Sequence, residues 1–142
     1  MEERYPVGAT ASCAVHVLRR GDGGDGYGSW SATIGLRGGE ATLRLPGHYA
    51  GVLAERLGAA GERFEPGKRL ARDEYLDVTA LVTDDVETIG LSSTARSPVR
   101  VTIEVPLEEV DELASLLGEA QLLIETLRQG LGLVPDSLPE LS

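Results

Sequence analysis

The residues of this chain whose types and spacing could do chemistry lie mostly in its first half. Gly21-x-Gly23-x-x-Gly26 has the spacing of a dinucleotide-binding loop, in which the third glycine leads into a helix that holds the pyrophosphate. Here a strand pattern follows instead, and Asp22 and Asp25 would repel phosphate. A calcium loop would need further spaced ligands and a closing glutamate, which are absent. We therefore interpret this glycine-rich segment as a flexible hairpin loop and expect no cofactor.

The cysteine and the histidines do not form a catalytic or metal-binding pattern. Cys13 and His16 have Cys-x-x-His spacing, but residues three apart on a strand face opposite sides of the sheet. One cysteine excludes an intrachain disulfide, and with two histidines it cannot complete a zinc site. His48 has no serine, cysteine or carboxylate placed by sequence as a partner, and Asp84-Asp85 is typical of a turn. We predict a protein that is not an enzyme and has no metal site.

Charge is distributed unevenly along the chain. Residues 1–72 carry ten basic and eight acidic side chains, net +2, whereas residues 73–142 carry three basic and fifteen acidic ones, net −12. An acidic protein needs a strong local basic patch to bind nucleic acid at physiological salt. The second half would repel nucleic acid, and it leaves open the class of acidic inhibitors or immunity proteins.

Three arginines of the first half are predicted to share one sheet face. Arg20, Arg37 and Arg44 have the parity of Ser29, Ser31 and Thr33, which makes a small basic, hydroxyl-rich face. Single-stranded nucleic acid would also need aromatic side chains for base stacking, and the pattern places none there. We predict a solvated or partner-binding face and keep single-stranded nucleic-acid binding as the alternative.

A repeated pattern organises the elements that carry these residues. Thr33-Ile34-Gly35-Leu36 returns as Thr88-Ile89-Gly90-Leu91, and each copy is followed by an alternating strand that ends in proline and by an amphipathic helix. From residue 42 to 58 the second copy lies at a constant offset of 60 residues.

The repeat predicts an α+β fold built from a duplicated strand-strand-strand-helix unit, with antiparallel sheets packed with two helices. The copies span about residues 11–61 and 75–131 of a single domain. Residues 1–10 are predicted to be a loose lead-in, 62–74 a connector and 132–142 a tail. Neither a signal-peptide pattern nor a run of 18 apolar residues occurs, so we expect a cytoplasmic protein without a membrane segment.

The second helix is predicted to extend beyond the sheet that covers it. A helix over 107–131 is about 37 Å long, whereas the first, over 47–60, is about 21 Å. An uncovered apolar overhang is rare in a soluble monomer. We therefore predict self-association into a homo-oligomer through this helix, at Leu116, Ile124, Leu127 and Leu131.

Several short motifs in this plan resemble a known family. They are Ser12-Cys13-x-x-His16, Ile89-Gly90-Leu91-Ser92-Ser93, Glu104-Val105-Pro106 and Leu133-Val134-Pro135. The duplicated plan resembles the Whirly fold, and these motifs resemble the SsgA-like proteins of actinomycetes. The chain lacks that family's tryptophan-bearing strand before the first helix and its glycine-rich segment ending in Trp-Pro. The resemblance implies a non-enzymatic protein that works through protein contacts in sporulation-specific division, including positioning of the division protein FtsZ.

Overall fold

A computed structural model of the chain describes residues 2–21, 30–94 and 101–128. It has two four-stranded antiparallel sheets and two helices, which confirms the predicted α+β class. Sheet A contains β1 (Glu2–Ala9), β2 (Ala14–Gly21), β3 (Trp30–Gly38) and β4 (Ala41–Pro46), and helix α1 (Tyr49–Arg63) follows it. Sheet B contains β5 (Arg69–Arg72), β6 (Leu76–Thr83), β7 (Val86–Ser93) and β8 (Thr102–Pro106), followed by a 3-10 turn (Leu107–Glu109) and helix α2 (Val110–Arg128). The predicted glycine-rich loop and the predicted tail lie outside the described residues.

Each unit has one strand more than the sequence pattern predicts. The expected lead-in contains β1, and the expected connector contains β5, so both of those predictions are wrong. β1 includes Pro6 and Gly8, which disfavour regular strands, but it is an edge strand with a bulge between these two residues. Proline is tolerated at such positions because its missing N–H is not needed by a neighbour. The repeated unit is therefore four strands and a helix.

The register of the two sheets defines which residues of the two units are equivalent. Val17 lies opposite Ile34, and Ala80 lies opposite Ile89. Equivalent residues are therefore 63 apart in β2 and β6 (80 − 17) and 55 apart in β3 and β7 (89 − 34). The offset is 60 in the last strands and the helices, as between Leu53 and Leu113.

The glycine of the repeated Thr-Ile-Gly-Leu motif is explained by close packing between strands. A Cβ atom on Gly35 would lie 2.1 Å from Nε2 of His16, its partner on β2. A Cβ atom on Gly90 would lie 2.9 Å from Oγ1 of Thr79, its partner on β6. In both sheets the neighbouring side chain occupies the space above the glycine.

The two helices are exchanged between the units. Helix α2, which follows sheet B, packs against β1 and β2 of sheet A, while α1 contacts β5 of sheet B as well as β4 of its own sheet. The helices also pack on each other, and the start of α1 lies beside the end of α2, because a Cβ atom on Gly47 would be 3.1 Å from Cδ1 of Ile124. Three of their core positions match, because Leu53, Leu57 and Ala60 are equivalent to Leu113, Leu117 and Ala120. One continuous core results.

The predicted apolar overhang of the second helix is wrong. Ile124 and Leu127 are 4% and 5% exposed within a single chain, because the end of α2 packs beside the start of α1. Leu116 also packs against the core, with Cδ2 2.6 Å from the Cβ position of Gly8. Leu131 lies outside the described residues. Self-association remains a prediction, but these buried residues do not supply its surface.

Because the exchanged helices share one core, shortening a helix side chain should weaken the whole chain. We expect Leu117→Ala to lower the free energy of unfolding by about 2–5 kcal/mol, since Leu117 is fully buried. Urea denaturation followed by circular dichroism measures this change. Leu122→Ala on the same helix should change stability by less than about 0.5 kcal/mol, because Leu122 is 64% exposed. Equal losses for the two variants would contradict the placement of α2.

Candidate functional site

The turn between the first two strands is built in the same way in both sheets. Thr10 Oγ1 accepts hydrogen bonds from the backbone N–H groups of Ser12 and Cys13, at 3.3 and 3.1 Å. Its equivalent, Asp73, accepts at Oδ1 from the backbone N–H groups of Tyr75 and Leu76, at 2.8 and 3.0 Å. Side-chain oxygens of threonine and aspartate favour such turns.

Each of these turns holds the exchanged helix of the other unit. In sheet A, Glu109 accepts hydrogen bonds from the backbone N–H and the hydroxyl of Ser12, both at 2.9 Å. Burial raises the pKa of Glu109, but hydrogen bonds from Thr10 and Ser12 outweigh it and hold the pKa below its usual value. In sheet B, the residue equivalent to Glu109 is Tyr49, whose hydroxyl donates to Oδ2 of Asp73 at 2.5 Å.

Tyr49 and Arg56 of α1 form a hydrogen-bonded cluster with Asp73. Arg56 donates to Oδ2 of Asp73 and to the Tyr49 hydroxyl, and its guanidinium lies 5.7 Å from the Tyr49 ring centroid. Burial raises the pKa of Asp73, but hydrogen bonds from Tyr49, from the backbone at Tyr75 and Leu76, and from Arg56 bring it down to about 2. The pKa of Tyr49 is raised, first by burial and then by its bond to Asp73.

These pKa values suit a structural role for the cluster. A general acid or base works best with a pKa near the working pH. Asp73 stays ionised and Tyr49 stays protonated at neutral pH, so neither exchanges a proton there. Their bonds fix the start of α1 to the turn of sheet B.

Cys13 and His16 lie on opposite faces of sheet A, as their spacing predicts. Cys13 is 1% exposed in the core, and burial followed by the charge of Glu109 raises the pKa of its thiol to about 11. His16 lies on the outer face above Gly35. His48 is exposed beside Tyr75, with the two rings edge to face at 5.9 Å.

The outer face of sheet A brings the predicted arginines together. Thr33, Gly35 and Arg37 of β3 lie opposite Pro46, Arg44 and Thr42 of β4, so Arg37 and Arg44 share this face, and both are exposed. Arg20 has the same parity on β2, opposite Ser31, and its side chain lies outside the described part of the structure.

Arg4 is a further member of this face that sequence reasoning missed. It is exposed on β1 and lies opposite Leu18, which has the parity of His16. Its alternation with the buried Tyr5 was the available signal, but Pro6 and Gly8 obscured the strand. We call the outer face of sheet A, which carries Arg4, His16, Arg37 and Arg44, the basic face.

The equivalent face of sheet B carries charges of both signs, because Arg69 and Arg72 of β5 share it with Asp77 and Glu104. By the register equivalence, Arg37 corresponds to Ser92 and Arg44 corresponds to Glu104. Asp77 shares the face of Ser92, and its Oδ1 accepts a hydrogen bond from Nε of Arg69 at 3.1 Å. The inner faces of the units are alike, whereas their outer faces have diverged in charge.

Comparison of this chain with protein-family models and with curated proteins finds no match. Among the described residues, no helix is both long enough and apolar enough to cross a membrane. Within those same residues, histidine, cysteine and acidic side chains form no group of three that could hold a metal ion. The exposed Arg4, Arg37 and Arg44 make the basic face a candidate binding site.

The low pKa of Asp73 predicts that its contribution to stability disappears in acid. A carboxyl whose pKa is depressed on folding stabilises the fold above its unfolded value, near 3.9, and this is lost as pH falls through about 2. We expect Asp73→Asn to lower the free energy of unfolding by about 2 kcal/mol at pH 7. The difference from the wild type should shrink between pH 4 and pH 2, as measured by urea denaturation.

Tyr49→Phe is the matched variant for this measurement. It removes one hydrogen bond to Asp73 and keeps the ring, which raises the pKa of the folded carboxyl toward its unfolded value, so the loss of stability in acid should be smaller and should end at a higher pH than in the wild type. An Asp73→Asn deficit that is as large at pH 2 as at pH 7 would contradict the role of the charged carboxylate.

The environment of Cys13 predicts that its thiol does not react in the folded protein. Only the thiolate attacks disulfide reagents, and a buried thiol with a pKa of about 11 supplies almost none at pH 8. We expect no release of thionitrobenzoate from Ellman's reagent by native protein and one equivalent in 6 M guanidinium. Rapid reaction of the native protein would place Cys13 at an accessible site.

Proposed function

We propose that this chain is a non-catalytic, cytoplasmic binding protein whose basic face contacts an acidic surface of a partner protein. The proposal is supported by one observation: Arg4, Arg37 and Arg44 lie on the same face of sheet A in a chain that is acidic as a whole. Within the described residues, none of the ion pairs involves these three arginines. A partner carboxylate can therefore pair with each of them.

The chemistry of arginine favours a protein surface as the ligand. Its planar guanidinium forms two parallel hydrogen bonds to a carboxylate, and arginine is enriched in protein interfaces. Like charges on one face repel each other, and the carboxylates of an acidic partner offset this repulsion by attracting each arginine. The hydroxyls of Thr33 and Thr42 lie on the same face and can hydrogen-bond to the partner.

The family resemblance suggests the class of partner. SsgA-like proteins are implied to work through protein contacts in sporulation-specific division, and one implied role is the positioning of FtsZ. We place this chain, by that resemblance, among regulators or adaptors of the division machinery. The motif residues Ile89 and Leu91 lie in the core, and Gly90 between them lies under the Thr79 side chain, so these residues support the fold rather than the contact.

Single-stranded nucleic-acid binding is the second candidate for the same face. The arginines and threonines could follow a phosphate backbone, but nonspecific binding of single strands also uses aromatic platforms. His16 is the one aromatic side chain on the basic face within the described residues. The sheet face therefore fits carboxylates better than stacked bases.

Charge reversal of the basic face tests the protein-binding proposal. The wild-type chain is immobilised, proteins from a native-host lysate are captured and identified by mass spectrometry, and the purified partner is titrated. We expect an acidic partner whose affinity falls more than about tenfold in Arg37→Glu plus Arg44→Glu, since two charge pairs become repulsive. Raising the salt concentration should weaken wild-type binding as well.

A charge-matched control separates this face from overall charge. Arg72→Glu plus Arg128→Glu changes the net charge by the same amount at exposed positions outside the basic face. This control should bind the partner as the wild type does. Unchanged affinity in the basic-face variant would refute the proposal, and a salt-dependent oligo(dT) shift lost only in that variant would favour the nucleic-acid alternative.

A further inference from the structure

The equivalent helix-sheet contacts of the two units are filled differently. In the first unit, Leu116 of α2 lies against Gly8 of β1 and occupies the space of its Cβ atom. The equivalent residues in the second unit are Arg56 of α1 and Ala71 of β5. Arg56 lines the equivalent space and bonds with Asp73, so among the described residues this position of α1 supplies no large apolar side chain to fill it.

An open groove of about 370 Å³ results between α1 and sheet B. Its wall is apolar and consists of Val52, Ala59, Leu70, Ala71 and Val78. A second cavity shares Arg63 and Leu70 with the first, and its other lining residues are Glu62, Phe64, Glu65, Lys68 and Arg69. We call this surface the α1 groove.

The rim of the α1 groove carries charges of both signs: toward the end of the helix Glu62 and Glu65 lie near Lys68 and Arg69, and these two cations are paired with Glu65 and Asp77. Glu55 and Arg56 lie near its start, and Arg63 lies in the last turn of α1. Arg56 is paired with Asp73, whereas Arg63 belongs to none of the ion pairs among the described residues. A ligand carboxylate would therefore be bound at the Arg63 end.

The groove borders an edge strand. Within the described residues β5 pairs with β6 on one side only, and an edge strand of this kind can accept an added strand on its other side. Arg72 is exposed on β5 and belongs to none of the ion pairs among the described residues, which disfavours pairing with a basic strand and favours an acidic one. The helix segment from Val52 to Arg63 is about 17 Å long, which accommodates about five extended residues.

We propose that the α1 groove binds an extended segment of a partner protein in which apolar and acidic side chains alternate. The segment pairs with β5 as an added strand. Its apolar side chains enter the space in the second unit that is equivalent to the one Leu116 fills in the first, and one of its carboxylates pairs with Arg63. This surface is separate from the basic face, so the proposal stands independently of the proposed function.

Peptide probes test the inference on the full-length protein. The acetylated pentapeptide amide Asp-Leu-Asp-Leu-Asp is titrated into ¹⁵N-labelled protein, next to Lys-Leu-Lys-Leu-Lys and Asp-Ser-Asp-Ser-Asp. We expect the first peptide to shift the amide resonances of Ala59, Leu70 and Ala71, and the other two to bind at least about tenfold more weakly. Equal binding of the basic or the serine peptide would overturn the proposal.

Two variants locate the binding. Arg63→Glu should weaken the acidic-apolar peptide by about tenfold or more, and Ala71→Leu should do the same by filling the groove. An unchanged circular dichroism spectrum and melting temperature identify each variant as folded. If both folded variants bind as the wild type does, the groove is not the site.

Arg44→Glu is the control that separates this inference from the proposed function. It lies on the basic face and outside the α1 groove, so it should leave peptide affinity unchanged. If Arg44→Glu weakens the peptide and Arg63→Glu does not, the peptide binds the basic face and the groove inference is refuted. Loss of the partner with Arg44→Glu and loss of the peptide with Arg63→Glu would support both proposals separately.

Discussion

The exchange of helices between the two units is the contact on which the rest of the structure depends. Each helix has an apolar stripe that must be covered, and strands and the helix of the other unit supply much of that cover. Neither unit can bury its own helix alone, so the duplicated sequence forms one core rather than two domains. The two polar anchors, Glu109 on Ser12 and Tyr49 on Asp73, hold the starts of the exchanged helices at equivalent turns.

This exchange constrains the inner surfaces and leaves the outer ones free to differ. Leu53 and Leu113 must both fill the shared core, but Arg44 and Glu104, which are equivalent, face solvent on opposite sheets. A duplicated protein can therefore develop different surfaces on the same scaffold. Both of its candidate binding surfaces occur where the repeat is broken, at the basic face and at the α1 groove.

The polar cluster on α1 shows why geometry alone does not define a catalytic site. Tyr49, Asp73 and Arg56 are close together and strongly hydrogen-bonded, as catalytic groups often are. Their pKa shifts move away from neutrality, since the Asp73 carboxylate is held ionised and the Tyr49 phenol is held protonated. In a catalytic site such interactions would have to activate a reacting group. In this protein they hold the start of α1 in place.

The sequence by itself determined the elements whose patterns are local. The 60-residue offset and the apolar spacing predicted both helices and six of the strands. Strand parity placed Arg37 and Arg44 on one face of the sheet, and it placed Cys13 and His16 on different faces. The tertiary structure decided the rest. Edge strands such as β1 carry little local signal because they need only one partner, which is why Arg4 was missed. The burial of Ile124 and the open groove at Ala71 depend on which helix covers which sheet, and that choice is made by contacts between residues far apart in the chain.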